Sequence, residues 1–131
     1  PTVGQVAALE AIQYGEDDVE YMRQHYDRRR QLIVDGFNRL GLTCFEPRGA
    51  FYAFPSIAIT GMDDETFCEL LLKEERLALV PGSAFGESGR GFIRASYATS
   101  EENIREALSR LEKFMVNHGF FTPEVDSAIA S

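Results

Sequence analysis

The protein has 131 residues, of which 44% are hydrophobic and 26% charged, as in an ordinary globular domain with a core of its own. Its formal net charge is −8, so neither nucleic acid nor an anionic membrane is an expected partner. Cys44 and Cys68 belong to no CxxC pair and have no histidine nearby, which favours buried free thiols in a cytoplasmic protein over a zinc or redox site.

Two helices are predicted at the start of the chain. The first fourteen residues are Ala-rich and predict a closely packing helix that ends at Gly15. Asp17 or Asp18 is expected to cap a second helix of roughly 24 residues, about 36 Å long. Its apolar face recurs at three- and four-residue steps, as Val19, Met22, Tyr26, Ile33, Phe37 and Leu40. The arginines at 28–30 predict a solvated face, and Gly41 ends the helix.

Short strands and two further helices follow. One helix is expected to be capped by Asp63, and the other by a box formed by Thr99 and Glu102. The strands are expected at 42–46, 51–54, 77–80 and 91–98. This order predicts an α/β fold of α+β-like character, in which helices cover one face of an about four-stranded sheet and a long helix precedes it. No apolar run is long enough to span a bilayer, and no signal peptide is recognisable.

The last predicted strand, "GFIRASYA", carries a charge where burial is expected. Ile93, Ala95 and Tyr97 share one face, and Arg94 lies on the other. A guanidinium grips a carboxylate in a fixed, bidentate geometry and never loses its charge. An arginine in a strand more often lies at a sheet edge or extends its charge to solvent, but at a partly closed cleft Arg94 would be the candidate binding residue for the α-carboxylate of an amino acid or a keto acid.

The strand at 51–54 adds an aromatic wall to this candidate site. Phe51 and Tyr52 follow Gly49 and Ala50, two small residues that allow a ligand to approach the backbone. An anion-binding arginine beside an aromatic wall is the arrangement that the sequence indicates.

Other reactive side chains have simpler explanations. The acids at 63–65 suit the first turn of a helix, and His25 and His118 are expected at the surface. The glycine-rich "PGSAFGESGRG" leads into a strand rather than a helix, which argues against a phosphate site. Lys73 and Lys113 sit beside glutamates on helices, so neither is expected to act as a nucleophile.

Three motifs in this order resemble a known family. "GAFYAFP" at 49–55, "VPGSAFG" at 80–86 and "FIRASYA" at 92–98 look like the C-terminal small domain of the class I/II aminotransferases, which are fold type I pyridoxal 5'-phosphate enzymes. "QVAALEAI" near the start looks like the segment that follows the cofactor-lysine region of that family. The resemblance covers nearly the whole chain up to about residue 117.

The resemblance implies roles for particular residues. In the family, the arginine of the last motif binds the substrate α-carboxylate, which carries over to Arg94, and the aromatic residue after "GA" tends to line the cleft, which carries over to Phe51. The turn at 81–83 would lie near the cleft mouth. No catalytic, cofactor-binding or metal-binding residue is expected in this chain.

The resemblance also implies a division of the chain and a missing part. Residues 1–16 would pack on a large domain, 17–117 would form the small domain, and 118–131 a loose tail. The lysine, aspartate and phosphate ligands that hold pyridoxal phosphate in the family belong to the large domain, and neither lysine here matches. The chain, which opens without Met, is thus expected to be part of a longer polypeptide, inactive alone, with a homodimeric parent that transfers an amino group between an amino acid and a 2-oxo acid.

Two alternatives stay open at this point. Carbon–sulfur lyases, decarboxylases and aminocyclopropane-carboxylate synthases resemble the same domain and use the same arginine. A non-catalytic α/β module that binds small carboxylates is the other alternative, and the long helix and the Ala-rich start argue against it because both suit packing on something absent.

Overall fold

A computed structural model of the chain describes residues 1–123. Its four α-helices and three strands, counted within that part, are α1 Thr2–Tyr14, α2 Glu16–Arg39, β1 Tyr52–Ala53, α3 Asp64–Glu75, β2 Val80–Pro81, β3 Ile93–Ser96 and α4 Glu101–Asn117. Short 3₁₀ turns occupy Ala58–Thr60, Gly82–Phe85 and Glu87–Gly89. Of the predicted tail at 118–131, residues 124–131 lie outside the described residues.

The sheet is antiparallel, with β3 at its centre in the order β1-β3-β2. Tyr52 pairs with Ser96 on one side of β3, and Val80 pairs with Arg94 on the other. The combination of helices with a small sheet confirms the predicted fold class. The 24-residue α2 confirms the long helix.

The expectation of four strands was wrong for residues 1–123, since residues 42–46 join no ladder. Burial alternates along this stretch as in a strand, with Leu42 and Cys44 buried. However, the side-chain amide of Asn38 takes both polar groups of the Cys44 backbone: it accepts a hydrogen bond from the N–H at 2.9 Å and donates one to the carbonyl at 3.1 Å. The segment is thus held by a side chain of α2.

The N-terminal cap of α3 is formed by the predicted residue, and that of α4 is not. Asp63 accepts a hydrogen bond from the backbone N–H of Thr66 at 3.0 Å and caps α3, as predicted. The cap of α4 is one residue later than expected, because Ser100 rather than Thr99 accepts the N–H of Asn103, at 3.2 Å.

The expected cap of α2 by Asp17 or Asp18 is not formed, because α1 and α2 are separated only by Gly15. The N–H of Gly15 still donates to Ala11 in α1 at 2.9 Å, and its carbonyl already accepts from Val19 in α2 at 3.0 Å. Both acids instead lie in the first turn of α2, where negative charge favours the helix dipole.

The core fills the space between the inner face of the sheet and the helices α2, α3 and α4. Its largest fully buried side chains are Tyr97, Phe67, Phe114, Leu40, Leu42, Ile57, Leu71, Ile93, Ile104, Leu111, Met115 and Pro55. Helix α1 contributes no buried residue, and its Val3 and Ile12 are 82% and 84% exposed. None of the helices within residues 1–123 has the length and apolar composition to cross a membrane.

Both cysteines are buried free thiols, as predicted. Burial, reinforced by the nearby charge of Asp64, raises the pKa of Cys68 to about 11. Burial also raises the pKa of Cys44. Neither thiol is therefore suited to act as a nucleophile.

Asn38→Ala tests the role of the side chain that replaces a strand ladder. The substitution leaves the N–H and carbonyl of buried Cys44 without their partner. We therefore expect the free energy of unfolding, measured in urea, to fall by about 1–3 kcal/mol. Asn117→Ala, an exposed position at the end of α4, is the matched control and should change stability by less than about 0.5 kcal/mol. Equal effects of the two substitutions would contradict this role of Asn38.

Candidate functional site

Arg94 occupies the outer face of the central strand. Ile93 and Ala95, its neighbours in β3, are 0% and 4% exposed on the inner face. Because successive side chains of a strand point to opposite faces, the Arg94 side chain projects away from the core, where it is half-buried. The same alternation places Tyr52 of β1 on the outer face, since it pairs with Ser96.

Two aromatic rings hold the guanidinium of Arg94. Its Cζ lies 4.4 Å from the ring centroid of Tyr52 and 4.4 Å from that of Phe85. Both distances are within the range of a cation–π interaction. An aromatic ring has no carboxylate or carbonyl oxygen to accept a hydrogen bond, so these contacts leave the N–H donors of Arg94 available for such an acceptor.

No acceptor among residues 1–123 takes a hydrogen bond from the Arg94 side chain, and no carboxylate of this part forms an ion pair with it. Arg30, another partly buried arginine, differs: it donates to Asp27 at 2.7 Å and also bonds Glu46. Five donors in a planar fork suit the two oxygens of one carboxylate. Arg94 is therefore equipped to bind an anionic ligand.

An open aromatic groove adjoins this arginine and shares Tyr52 and Phe85 with it. The groove has a volume of about 570 Å³. Phe54 meets Phe85 edge-on, with ring centroids 5.6 Å apart. The aromatic residues that line the groove are Phe45, Tyr52, Phe54, Phe85 and Phe92. The groove, which also includes Glu46 and Ser88, thus places a largely aromatic surface beside the two rings that contact the guanidinium, and this surface suits a ligand that presents both a carboxylate and apolar atoms.

The segment that carries Phe85 is tied to α3 by Asp64. This buried carboxylate accepts hydrogen bonds from the backbone N–H of Ser83 at 2.7 Å and of Gly91 at 3.3 Å. Burial of the Asp64 carboxyl acts to raise its pKa, but the hydrogen bonds from Ser83 and Gly91 outweigh burial and hold the pKa below its ordinary value. Asp64 is consequently an anion at neutral pH.

Two glycines allow the same segment to close on itself. A Cβ on Gly82 would lie 2.0 Å from the carbonyl oxygen of Gly89 and 2.8 Å from that of Phe92. A Cβ on Gly89 would lie 2.1 Å from the carbonyl oxygen of Gly82. The glycines of this stretch therefore allow close contact between backbone segments. The N–H of Ser83 donates to the carboxylate of Asp64.

The two residues predicted to bind substrate both contact Tyr52, whose ring centroid lies 4.8 Å from that of Phe51 and 4.4 Å from Cζ of Arg94. Phe51 is 39% exposed and stacks on Tyr26 of α2 at 6.1 Å, and Tyr26 also meets Tyr97 on the inner side of the sheet. The ring contacts of Arg94 are with Tyr52 and Phe85, so Tyr52 is the member of the predicted aromatic wall that touches it. The substrate-binding roles of Arg94 and Phe51 stay predictions.

Phe85 and Asp64 are the site residues that sequence reasoning missed. Phe85 lies in the glycine-rich stretch, where the resemblance implies a place near the cleft mouth only for the turn at 81–83. Asp64 was included among helix-capping acids, and only Asp63 of that group caps the helix. The sequence contains one hint: a helix start needs one capping acid, so the second acid beside it is available for another partner.

The described residues do not fit pyridoxal phosphate, the cofactor that the resemblance implies. A Schiff base needs a lysine amine in a desolvated pocket. The side chain of Lys73 is 66% exposed and paired with Glu69, and that of Lys113 is 64% exposed and 2.9 Å from Glu75. Within residues 1–123 there is also no group of three or more potential metal ligands.

Comparison with known proteins gives a consistent result. The family model described as "Aminotransferase class I and II" matches residues 1–111. YugH of Bacillus subtilis (strain 168), a protein that carries an aminotransferase name, is 54% identical over 115 residues, which are 88% of this chain and 30% of that protein. The aspartate aminotransferase of Pyrococcus abyssi is 50% identical over 97 residues, 74% of this chain and 25% of that protein.

Solved structures share the fold as well as the sequence. The crystal structure of an aromatic aminotransferase from Pyrococcus horikoshii OT3 superposes with a TM-score of 0.78 at 48% identity, over 80% of this chain and 28% of that one. The chain thus spans about a quarter to a third of the length of the proteins that it matches.

Gly82→Ala tests the close packing of the segment that carries Phe85. The added methyl overlaps the carbonyl oxygen of Gly89, so the segment must shift. We therefore expect the free energy of unfolding, measured in urea, to fall by about 1–3 kcal/mol. Gly49→Ala is the matched control, because a Cβ there meets nothing within 4 Å. A Gly82→Ala chain as stable as wild type would show that the segment is not packed as described.

Proposed function

The chain belongs to the class I and II aminotransferase family, and from this premise we propose that it is the part of an aminotransferase that holds the substrate α-carboxylate through Arg94. The parent enzyme would transfer an amino group between an amino acid and a 2-oxo acid. Both substrates carry an α-carboxylate, so one arginine serves both halves of the reaction. The relatives' names include aspartate and aromatic-amino-acid aminotransferases, so the proposal names no single substrate.

One observation carries this proposal: the guanidinium of Arg94 contacts two aromatic rings while its donors lack an acceptor among residues 1–123. An arginine fixed in this way binds a carboxylate without first having to give up an internal ion pair. By fixing the carboxylate it would orient the bonds at the substrate Cα and reduce the entropy lost on reaching the reactive geometry.

Pyridoxal phosphate supplies the chemistry at Cα in class I and II aminotransferases. Because the described residues do not fit this cofactor, we assign its lysine and its phosphate ligands to sequence beyond the matched segment, which is present in the longer relatives. The contribution that we propose for this chain is binding and orientation of the substrate.

We propose the following arrangement of the chain within such an enzyme. Residues 1–16 would pack on the cofactor-binding domain, which is supported by the exposed apolar side chains of α1 and by the absence of any buried residue in it. Residues 17–117 would form the small domain, residues from 118 onward a tail, and two copies of the parent a homodimer with shared sites. A cytoplasmic location is part of the proposal and is supported by the two free thiols.

The transaminase reaction is preferred over the lyase and synthase alternatives because the relatives compared above have aminotransferase names. A free-standing carboxylate-binding module is disfavoured by α1, whose apolar side chains would then remain in water.

Arg94→Gln, made in a full-length aminotransferase that contains this segment, tests the role of the arginine. Loss of a desolvated charge pair with the substrate costs about 2–5 kcal/mol, so kcat/KM for amino acids should fall by about 30-fold to several thousand-fold. Arg105→Gln is the matched control, because Arg105 is exposed on α4 and its ion pair with Glu101 is long, at 3.9 Å. This substitution should leave kcat/KM unchanged. An unchanged kcat/KM in Arg94→Gln would refute the proposed role.

The purified 131-residue chain should not form a defined lysine adduct with pyridoxal phosphate. Both lysines are exposed and paired with glutamates, so neither favours a Schiff base. The measurement is borohydride reduction followed by intact-mass analysis, with a complete aminotransferase as the positive control. A stoichiometric adduct on Lys73 or Lys113 would show that the chain carries its own cofactor site.

A further inference from the structure

Asp64 bridges the two ends of one loop. Its side chain is buried, at 3% exposure, and its two carboxylate oxygens are used separately. Oδ2 accepts the N–H of Ser83 at 2.7 Å, and Oδ1 accepts the N–H of Gly91 at 3.3 Å. Since Asp63 already caps α3, Asp64 is not needed for the start of the helix and is committed to the loop.

The loop between these two anchor points carries Phe85. Within residues 83–91, hydrogen bonds from Gly86 to Ser83 at 3.0 Å and from Gly89 to Gly86 at 2.9 Å close two successive turns. These bonds fix the shape of the loop, whereas the bonds to Asp64, with a longer one from the Ser83 hydroxyl to Glu65 at 3.4 Å, fix its position on α3. The ring of Phe85, at the end of the first turn, lies 4.4 Å from the guanidinium carbon of Arg94.

We propose that Asp64 is a positioning residue for the carboxylate site. By holding both ends of residues 83–91 it keeps the ring of Phe85 on the guanidinium of Arg94. The ring of Tyr52 makes a second contact at the same distance, so two rings restrict the position of the guanidinium and the direction of its donors. The consequence for substrate rests on the proposed function of Arg94, but the position of the ring is measurable without substrate.

Replacement of Asp64 by asparagine separates this role from the filling of space. An asparagine has the same shape, but only one of its two terminal atoms accepts a hydrogen bond. Its NH₂ group would then face one of the two backbone N–H groups, so one anchor of the loop is lost. Asp63→Asn is the matched control: it makes the same chemical change one residue away, and asparagine caps a helix as well as aspartate does.

The test uses NMR of the arginine side chains in the 131-residue chain. The Nε–Hε signal of Arg94 is identified by its loss in Arg94→Lys. Protons over the faces of aromatic rings are shielded, so Asp64→Asn should shift this signal downfield, toward the signals of exposed arginines. Phe85→Ala, which removes the ring itself, should shift it in the same direction, and Asp63→Asn should leave it in place.

The amide spectrum of α4 shows whether Asp64→Asn is folded. The proposal is overturned if the Asp64→Asn chain is folded and its Arg94 signal stays in the wild-type position, although Phe85→Ala moves that signal. If it does not fold, amide exchange in the wild-type chain decides: the N–H groups of Ser83 and Gly91 should exchange slowly, and exchange as fast as in an unstructured peptide would overturn the proposal. None of these measurements involves substrate, so the proposed function can fail in the kinetic test of Arg94 independently.

Discussion

Burial of one face of β3 is the constraint on which the rest of the structure depends. Ile93 and Ala95 are packed into the core between the helices, and the strand between β1 and β2 cannot turn over without exposing them. This burial places a permanent positive charge on the outer face at Arg94. The rings of Tyr52 and Phe85, and through Phe85 the loop held by Asp64, are arranged around that charge.

Much of the fold could be predicted because strong periodic patterns determine it. The apolar spacing of α4, that of the second half of α2 and the cap at Asp63 depend on neighbours in sequence and are as predicted, whereas Val19 and Met22 of the predicted α2 face are 56% and 51% exposed. The fourth strand was wrong because of a side chain on the preceding helix. The sequence of 42–46 alternates correctly, but the side chain of Asn38 competes for its backbone, and an asparagine on a helix does not reveal its partner.

The candidate site could be predicted less completely. Arg94 was identified because a charge in an apolar strand conflicts with its surroundings, and such conflicts mark functional positions. Phe51 was selected by its place in a motif, whereas alternation along β1 puts the neighbouring Tyr52 on the face of the arginine. Phe85 and Asp64 are brought to the site by a loop and by a helix start, and contacts of this kind depend on tertiary structure rather than on local spacing.

The two buried thiols have a practical consequence for spectroscopy. With a pKa of about 11, Cys68 is ionised to only about one part in ten thousand at neutral pH, and Cys44 is buried with a raised pKa as well. Alkylating reagents attack thiolates, so both native cysteines should react slowly in the folded chain. A single cysteine introduced on the surface would then take up a fluorophore or a spin label selectively, and the native pair need not be replaced.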